Sequence, residues 1–253
     1  MEITTLGTSH GDHTYCRFNS STLIESNGAS YLIDAGAPVN GLLVRAGKNV
    51  RDLRAVFITH MHDDHAGGLS GLVKSLRKYP VPGQRTVIFL PEPGADKALT
   101  GWLAAQHLVI PEGLITFGCT ATMKNGPIYD DGVLKVTPVE TKHLRRPDGG
   151  AASFAFKLEL ENKLVMYTGD LSEDFSDFPI TETDDWFDLC VCEATHYAPE
   201  DALPVLMKRK IKRLVFNHIH NPWHGDGERA LLSHYAPLPY PMEIAHDGDV
   251  FIL

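Results

Sequence analysis

Apolar positions along the chain follow two rhythms: short runs closed by turn residues, and longer stretches with apolar residues three and four apart. Met1 to Leu6, Ser21 to Ser26 and Ala29 to Ile33 are of the first kind, the last closed by Asp34-Ala35-Gly36, and together they predict a β-meander. A helix is expected around Val39 to Ala46. Leu53 to Thr59 follows, and its centre, Ala55-Val56-Phe57-Ile58, is the unbroken apolar run of a strand buried on both faces. Leu69, Leu72, Val73 and Leu76 place a helix over Leu69 to Tyr79, which Pro80-Val81-Pro82-Gly83 ends. A strand at Thr86 to Leu90, a helix at Lys97 to Leu108 and a short strand near Leu114 to Phe117 complete the first half.

The second half repeats this grammar. Strands are expected at Val133 to Pro138, Ser153 to Leu160, Leu164 to Tyr167 and Asp188 to Cys192, then a helix near Glu200 to Lys208. Leu214 to Asn217 reads as another buried strand, and Gly227 to Tyr235 as the last helix. His246-Asp247-Gly248 reads as a hairpin turn before a closing strand at Val250 to Leu253. No linker composition divides the halves and no close repeat relates them. One domain over 1–253, with halves of about 1–120 and 121–253, is therefore predicted, its sheets facing each other with helices outside.

Composition narrows the function classes. With 43% hydrophobic and 22% charged residues the chain of 253 is ordinary for a globular protein. A formal net charge of −9 argues against a long footprint on nucleic acid, which clustered Lys and Arg would drive, and favours a small-molecule substrate. No apolar run is long enough to span a bilayer, no leader pattern opens the chain, and the expected location is cytoplasmic. Cys16, Cys119, Cys190 and Cys192 form no C-x-x-C pair and read as reduced thiols. Thirteen histidines are the unusual feature.

Four of the reactive groups are concentrated in His60-Met61-His62-Asp63-Asp64-His65, in the loop after the buried strand. His60 and His62, two apart in extended chain, point to one side, and the turn through Asp64 and His65 brings a second nitrogen and oxygen beside them. Imidazole and carboxylate in this mixture suit zinc, with manganese or iron also fitting. Asp63 reads as a solvated loop carboxylate.

A His-x-His-x-Asp-His loop after a strand resembles the metallo-β-lactamase superfamily. The resemblance implies a four-layer αββα sandwich of mixed α/β type, with a metal site between the sheets at one edge. It matches Asp34 to the acidic residue that supports the metal loop by orienting a ligating histidine, and His143, Asp170 and His218 to the remaining ligands, with His218 favoured over His220. It assigns His60, His62, His143 and Asp170 to one metal ion and Asp64, His65, Asp170 and His218 to the other, with a shared hydroxide as nucleophile.

Leu6-Gly7-Thr8, Arg17-Phe18-Asn19-Ser20-Ser21 and Cys192-Glu193-Ala194-Thr195 are similar to the ribonuclease Z-like branch. There a His precedes Glu-Ala-Thr. Cys192 takes its place here, and His196 is the alternative general acid. Asp64, Glu193 and His196 are thus the candidate catalytic residues, and His10, Arg145 and His220 the candidate substrate contacts. The branch's tRNA-processing members carry a Gly/Pro-rich arm between the third histidine and the bridging Asp, and the interval His143 to Asp170 is short. The leading expectation is a phosphodiesterase for a small or cyclic phosphate ester. Behind it stand a lactone or carboxylic ester hydrolase, a tRNA 3′-end endonuclease, a di-iron oxidoreductase and a non-catalytic binding module. The superfamily's habit of dimerising implies a homodimer.

Overall fold

The computed structural model describes residues 1–123, 126–179 and 186–253. It divides into two compact units, Met1–Lys124 with Asp247–Ile252, and Asn125–His246 with Leu253.

The first unit holds a seven-stranded sheet in the order β14-β1-β2-β3-β4-β5-β6. Its strands are β1 (Glu2–Gly7), β2 (Ser21–Ser26), β3 (Ala29–Ile33), β4 (Leu53–Phe57), β5 (Thr86–Leu90), β6 (Ile115–Cys119) and β14 (Asp249–Ile252). The run from β14 to β3 is antiparallel, and the run from β3 to β6 is parallel. Parallel neighbours need crossovers, and three helices lie in these connections: α1 (Val39–Arg45), α3 (Leu69–Lys78) and α4 (Ala95–Ala105). Leu69, Leu72, Val73 and Leu76 of α3 and Val39, Leu42 and Leu43 of α1 join Leu32, Val56, Ile58 and Ile88 in one core. The fourth helix, α2 (Asp63–Ala66), is a single turn that the apolar pattern could not reveal, because it carries site residues in place of an amphipathic stripe.

The second unit has the same plan. Its sheet runs β13-β12-β11-β10-β9-β8-β7, built from β7 (Tyr129–Asp130), β8 (Lys135–Glu140), β9 (Phe154–Leu160), β10 (Lys163–Tyr167), β11 (Leu189–Ala194), β12 (Leu214–Ile219) and β13 (Met242–Ile244). The run from β7 to β10 is antiparallel and the run from β10 to β13 parallel. Helices α5 (Pro199–Leu206) and α6 (Gly227–His234) contribute Ala202, Leu206 and Leu231 to a core with Met166, Phe175, Phe216 and Tyr235. Glu161 and Asn162, both at positive φ, make the two-residue turn between β9 and β10. That hairpin and the turn around Pro147 to Gly150 fill the interval from His143 to Asp170.

The turn expected at His246-Asp247-Gly248 is not a hairpin. It joins β13 of one sheet to β14 of the other. Asp247 does more than turn the chain: its carboxylate accepts from Thr8 Oγ1 and from the Phe18 N–H, both at 2.7 Å. It thereby ties the His10 loop to the end of the chain. Burial raises the Asp247 carboxyl above the usual range, against the pull of these two bonds and of Arg17. The sequence reading also left β7 and β13 unassigned, being two and three residues long.

Gly36 fixes the approach of the His60 to His65 loop. A Cβ there would lie 2.1 Å from the Asp64 carbonyl oxygen and 2.6 Å from Asn19 Cβ. The adjacent backbone is clasped: the Ala35 N–H donates to the His65 carbonyl and the Gly68 N–H to the Ala35 carbonyl, each at 2.7 Å. Gly36→Ala is expected to lose about 1–3 kcal/mol of stability through overpacking. Urea denaturation checks this, and an unchanged midpoint would show that the loop can move aside.

Candidate metal centre

In each sheet the reactive side chains follow the carboxyl ends of strands, next to the place where antiparallel pairing gives way to parallel. Loops there are anchored by a buried strand on one side and a helix or turn on the other, a frequent location for ligand sites.

In the first unit Asp34 leaves β3 at φ +59° and is fully buried. Its Oδ1 accepts from the Thr59 N–H at 2.8 Å, and its Oδ2 from His65 Nδ1 at 2.8 Å. Thr59 Oγ1 lies 3.0 Å from both oxygens. Burial raises the Asp34 carboxyl above the ordinary range, while His65 and Thr59 pull it back. On the other side of the ring, His65 Nε2 lies 3.4 Å from Asp64 Oδ2. His60 Nε2 and His62 Nδ1 stand 3.0 Å apart. Asp63 is exposed, as a solvated loop carboxylate should be, although it begins α2.

In the second unit Asp170 follows β10 and is 2% exposed. Its Oδ2 lies 3.7 Å from His143 Nε2 and 3.4 Å from His218 Nε2. His218 is the extra residue of a β-bulge: Glu193 pairs with Asn217 and Ala194 with Ile219, leaving His218 between them at φ +50°. The bulge re-aims the side chain where the simple alternation of a strand would not. The sequence placed His218 just after the strand; it is in fact inside β12.

Ligand atoms sharing one tetrahedral zinc at 2.0–2.1 Å stand about 3.3 Å apart. The His60–His62, His65–Asp64, His143–Asp170 and His218–Asp170 separations bracket that figure. Asp170, His196 and His218 also offer ligand atoms within 4.8 Å of one another. The donor sets of both units therefore suit divalent metal ions.

His196 plays a different part through Nδ1, which lies 2.9 Å from Glu193 Oε2 and 3.0 Å from Oε1. Glu193 is buried and accepts as well from the backbone N–H groups of Leu171, Thr195 and His196. Its oxygens orient the Asp170 loop and the His196 ring. Cys192, alternating with Glu193 along β11, packs in the core beside Tyr197, and burial pushes its thiol up to about 12. It stands where the branch has a histidine, yet it offers no proton donor to the site.

The candidate substrate contacts are less concentrated. His10 sits in the loop held by Asn19 Nδ2, which donates to its carbonyl at 3.1 Å. Arg145 is 3.4 Å from Glu140 in an exposed pair. His220 is partly buried, and burial, with the nearby His196, His224 and His218, lowers its pKa.

A family profile described as Anti-Pycsar protein Apyc1 matches residues 1–221. Ribonuclease Z of Pseudomonas putida strain GB-1 is 47% identical over 77 residues, 30% of this chain and 24% of that protein. Ribonuclease Z of Streptomyces avermitilis is 27% identical over 157 residues, 62% of this chain and 48% of that one. The matches thus span less than half the length of these curated relatives. Human tRNase Z, short form, superposes with a TM-score of 0.76 at 20% identity, covering 100% of this chain and 99% of that one. The chain has the metallo-β-lactamase fold and is ribonuclease Z-like. None of the described helices is long and apolar enough to cross a membrane.

Removing the carboxylate behind His65 should loosen the metal without emptying the fold. Asp34→Asn is expected to weaken zinc binding about 10–100-fold. Competition with a chromophoric chelator measures this, and wild-type affinity would remove Asp34 from the metal's support.

Proposed function

We propose, from the premise that the chain belongs to the Anti-Pycsar protein Apyc1 family, that it is a metal-dependent phosphodiesterase acting on a small or cyclic phosphate ester. The ligands in this reading are His60, His62, Asp64 and His65 of the first unit and His143, Asp170 and His218 of the second, holding two divalent ions, with zinc the expected metal. The observation that carries it is the spacing of imidazole nitrogens and carboxylate oxygens in each unit, 3.0–3.7 Å. Ions bound there would supply a nucleophile from water at neutral pH and neutralise charge on the attacked phosphoryl group.

The protein's own part is to orient and to move a proton. Glu193 holds the Nδ1 side of His196, so Nε2 is the nitrogen presented to a departing ester oxygen. As water adds to phosphorus and the P–O ester bond breaks, His196 donates a proton to the leaving oxygen. Asp170, with imidazoles around it, holds metal.

The phosphoester class rests on the relatives' name, since a ribonuclease breaks phosphodiester bonds. A small substrate is favoured over tRNA by the net charge of −9 and by the short hairpin that fills the interval where an arm would be inserted. The proposed location is cytoplasmic and the proposed assembly a homodimer.

Chelation is expected to abolish hydrolysis of bis(p-nitrophenyl) phosphate and of a nucleoside 3′,5′-cyclic phosphate, zinc or manganese to restore it, and Asp170→Ala to be inactive. Turnover of a lactone or carboxylic ester alone would overturn the substrate class and leave the metal reading standing. Leaving-group dependence tests His196. His196→Gln should slow diesters with alkoxide leaving groups about 100-fold or more and hardly affect p-nitrophenolate release; equal losses on both would deny it the role of acid.

A further inference from the structure

We infer that Asp177 is a positioning residue for the metal centre, resting on the metal reading above: one buried carboxylate sets the distance between the loops that carry His143 and Asp170. Asp177 is 8% exposed and lies seven residues beyond Asp170, in a segment with no metal-ligand motif. Its Oδ2 accepts from the N–H of Lys142, the residue before His143, at 2.5 Å. Its Oδ1 accepts from the Ser172 N–H at 3.0 Å and lies 2.7 Å from Ser172 Oγ, two residues after Asp170. The same side chain therefore grips both ligand-bearing loops.

The grip is stiff at each end. On the far side of His143, the Leu144 N–H donates to Ser153 Oγ at 3.0 Å, so the backbone is held at the residue before the histidine and at the residue after it. Before Asp170, Thr168 Oγ1 accepts from the Glu193 N–H at 3.1 Å, and directly after it the Leu171 N–H donates to Glu193 Oε1 at 2.6 Å. Asp177 itself is held by its neighbours. Phe175, at φ +55°, and Phe178 are buried in the core of this unit, their rings 5.2 Å apart, and Phe175 meets Tyr197 edge-on at 4.3 Å. Metal ligands need placement within about 0.5 Å, and the His143 Nε2 to Asp170 Oδ2 separation is 3.7 Å. A carboxylate accepting from both sides fixes that distance, whereas an amide at the same place can accept through one oxygen only.

Asp177→Asn is the test, with Asp174→Asn as its control. Asp174 sits on the same turn and is exposed, and its Oδ1 accepts from the Ser172 hydroxyl and the Ser176 N–H, whereas the Lys142 N–H goes to Asp177. Zinc affinity is read by competition with a chromophoric chelator, coordination by the visible spectrum of the cobalt(II)-loaded protein, and folding by melting of the metal-free protein. Asp177→Asn is expected to weaken metal binding about 10–100-fold and to change the cobalt spectrum, with metal-free melting close to that of Asp174→Asn, whose metal binding stays at the wild-type level. Wild-type affinity and spectrum in Asp177→Asn overturn the inference alone, as does a loss of affinity matched by Asp174→Asn. A wild-type protein that takes up no metal overturns the metal reading and this inference with it.

Discussion

Parallel strands cannot be joined by a tight turn. The chain must leave each one at its carboxyl end and cross back, so every parallel strand delivers a loop to the same end of its sheet. Both units of this protein exploit that constraint in the same way. An antiparallel run switches to a parallel run at β3 in the first unit and at β10 in the second, and the candidate site residues begin after the switch strand. Asp34 follows β3 and Asp170 follows β10. The segment after β4 carries His60, His62, Asp64 and His65; β11 carries Glu193 near its end, with His196 just beyond it, and β12 carries His218.

Delivery to one end of a sheet brings loops near each other to within several ångströms, and ligation requires a finer adjustment. Buried carboxylates supply it. Asp34 takes a threonine amide and a histidine ring, Glu193 three backbone N–H groups and a histidine ring, and Asp177 peptides from two loops. Each satisfies several donors at once, which offsets the cost of placing a charge away from water. Each also removes a rotational freedom from a proposed ligand or its neighbour. The bulge at His218 and the close approach at Gly36 do similar work with backbone instead of charge.

Much of this was legible in the chain. Strands β2, β3 and β5 have the bounds their apolar runs predict, because a run buried on both faces ends where turn residues begin. Helix α3 was readable from four leucine and valine positions on one stripe. The candidate ligands of the first unit were legible because the His-x-His-x-Asp-His spacing is rare. Other features lay beyond pattern. The crossing of the last strand into the first unit's sheet made a hairpin of His246-Asp247-Gly248 the natural expectation, since local sequence says nothing of which sheet a strand joins. Motif likeness makes Glu193 a catalytic candidate, and it does not reveal the three backbone N–H groups and the His196 ring that the carboxylate takes. Asp177 carries no sequence signal, for its partners are the backbone N–H groups of Lys142 and Ser172, which every residue but proline possesses, and one serine hydroxyl.

The claim at the centre of the account is that these histidines and aspartates are metal ligands. Anomalous diffraction at the zinc absorption edge, from crystals of the zinc-loaded protein, addresses it without reference to substrate. The account predicts two strong peaks per chain within bonding distance of His60, His62, Asp64, His65, His143, Asp170 and His218. Zinc peaks confined to other residues, or no peak beside Asp170, would contradict it.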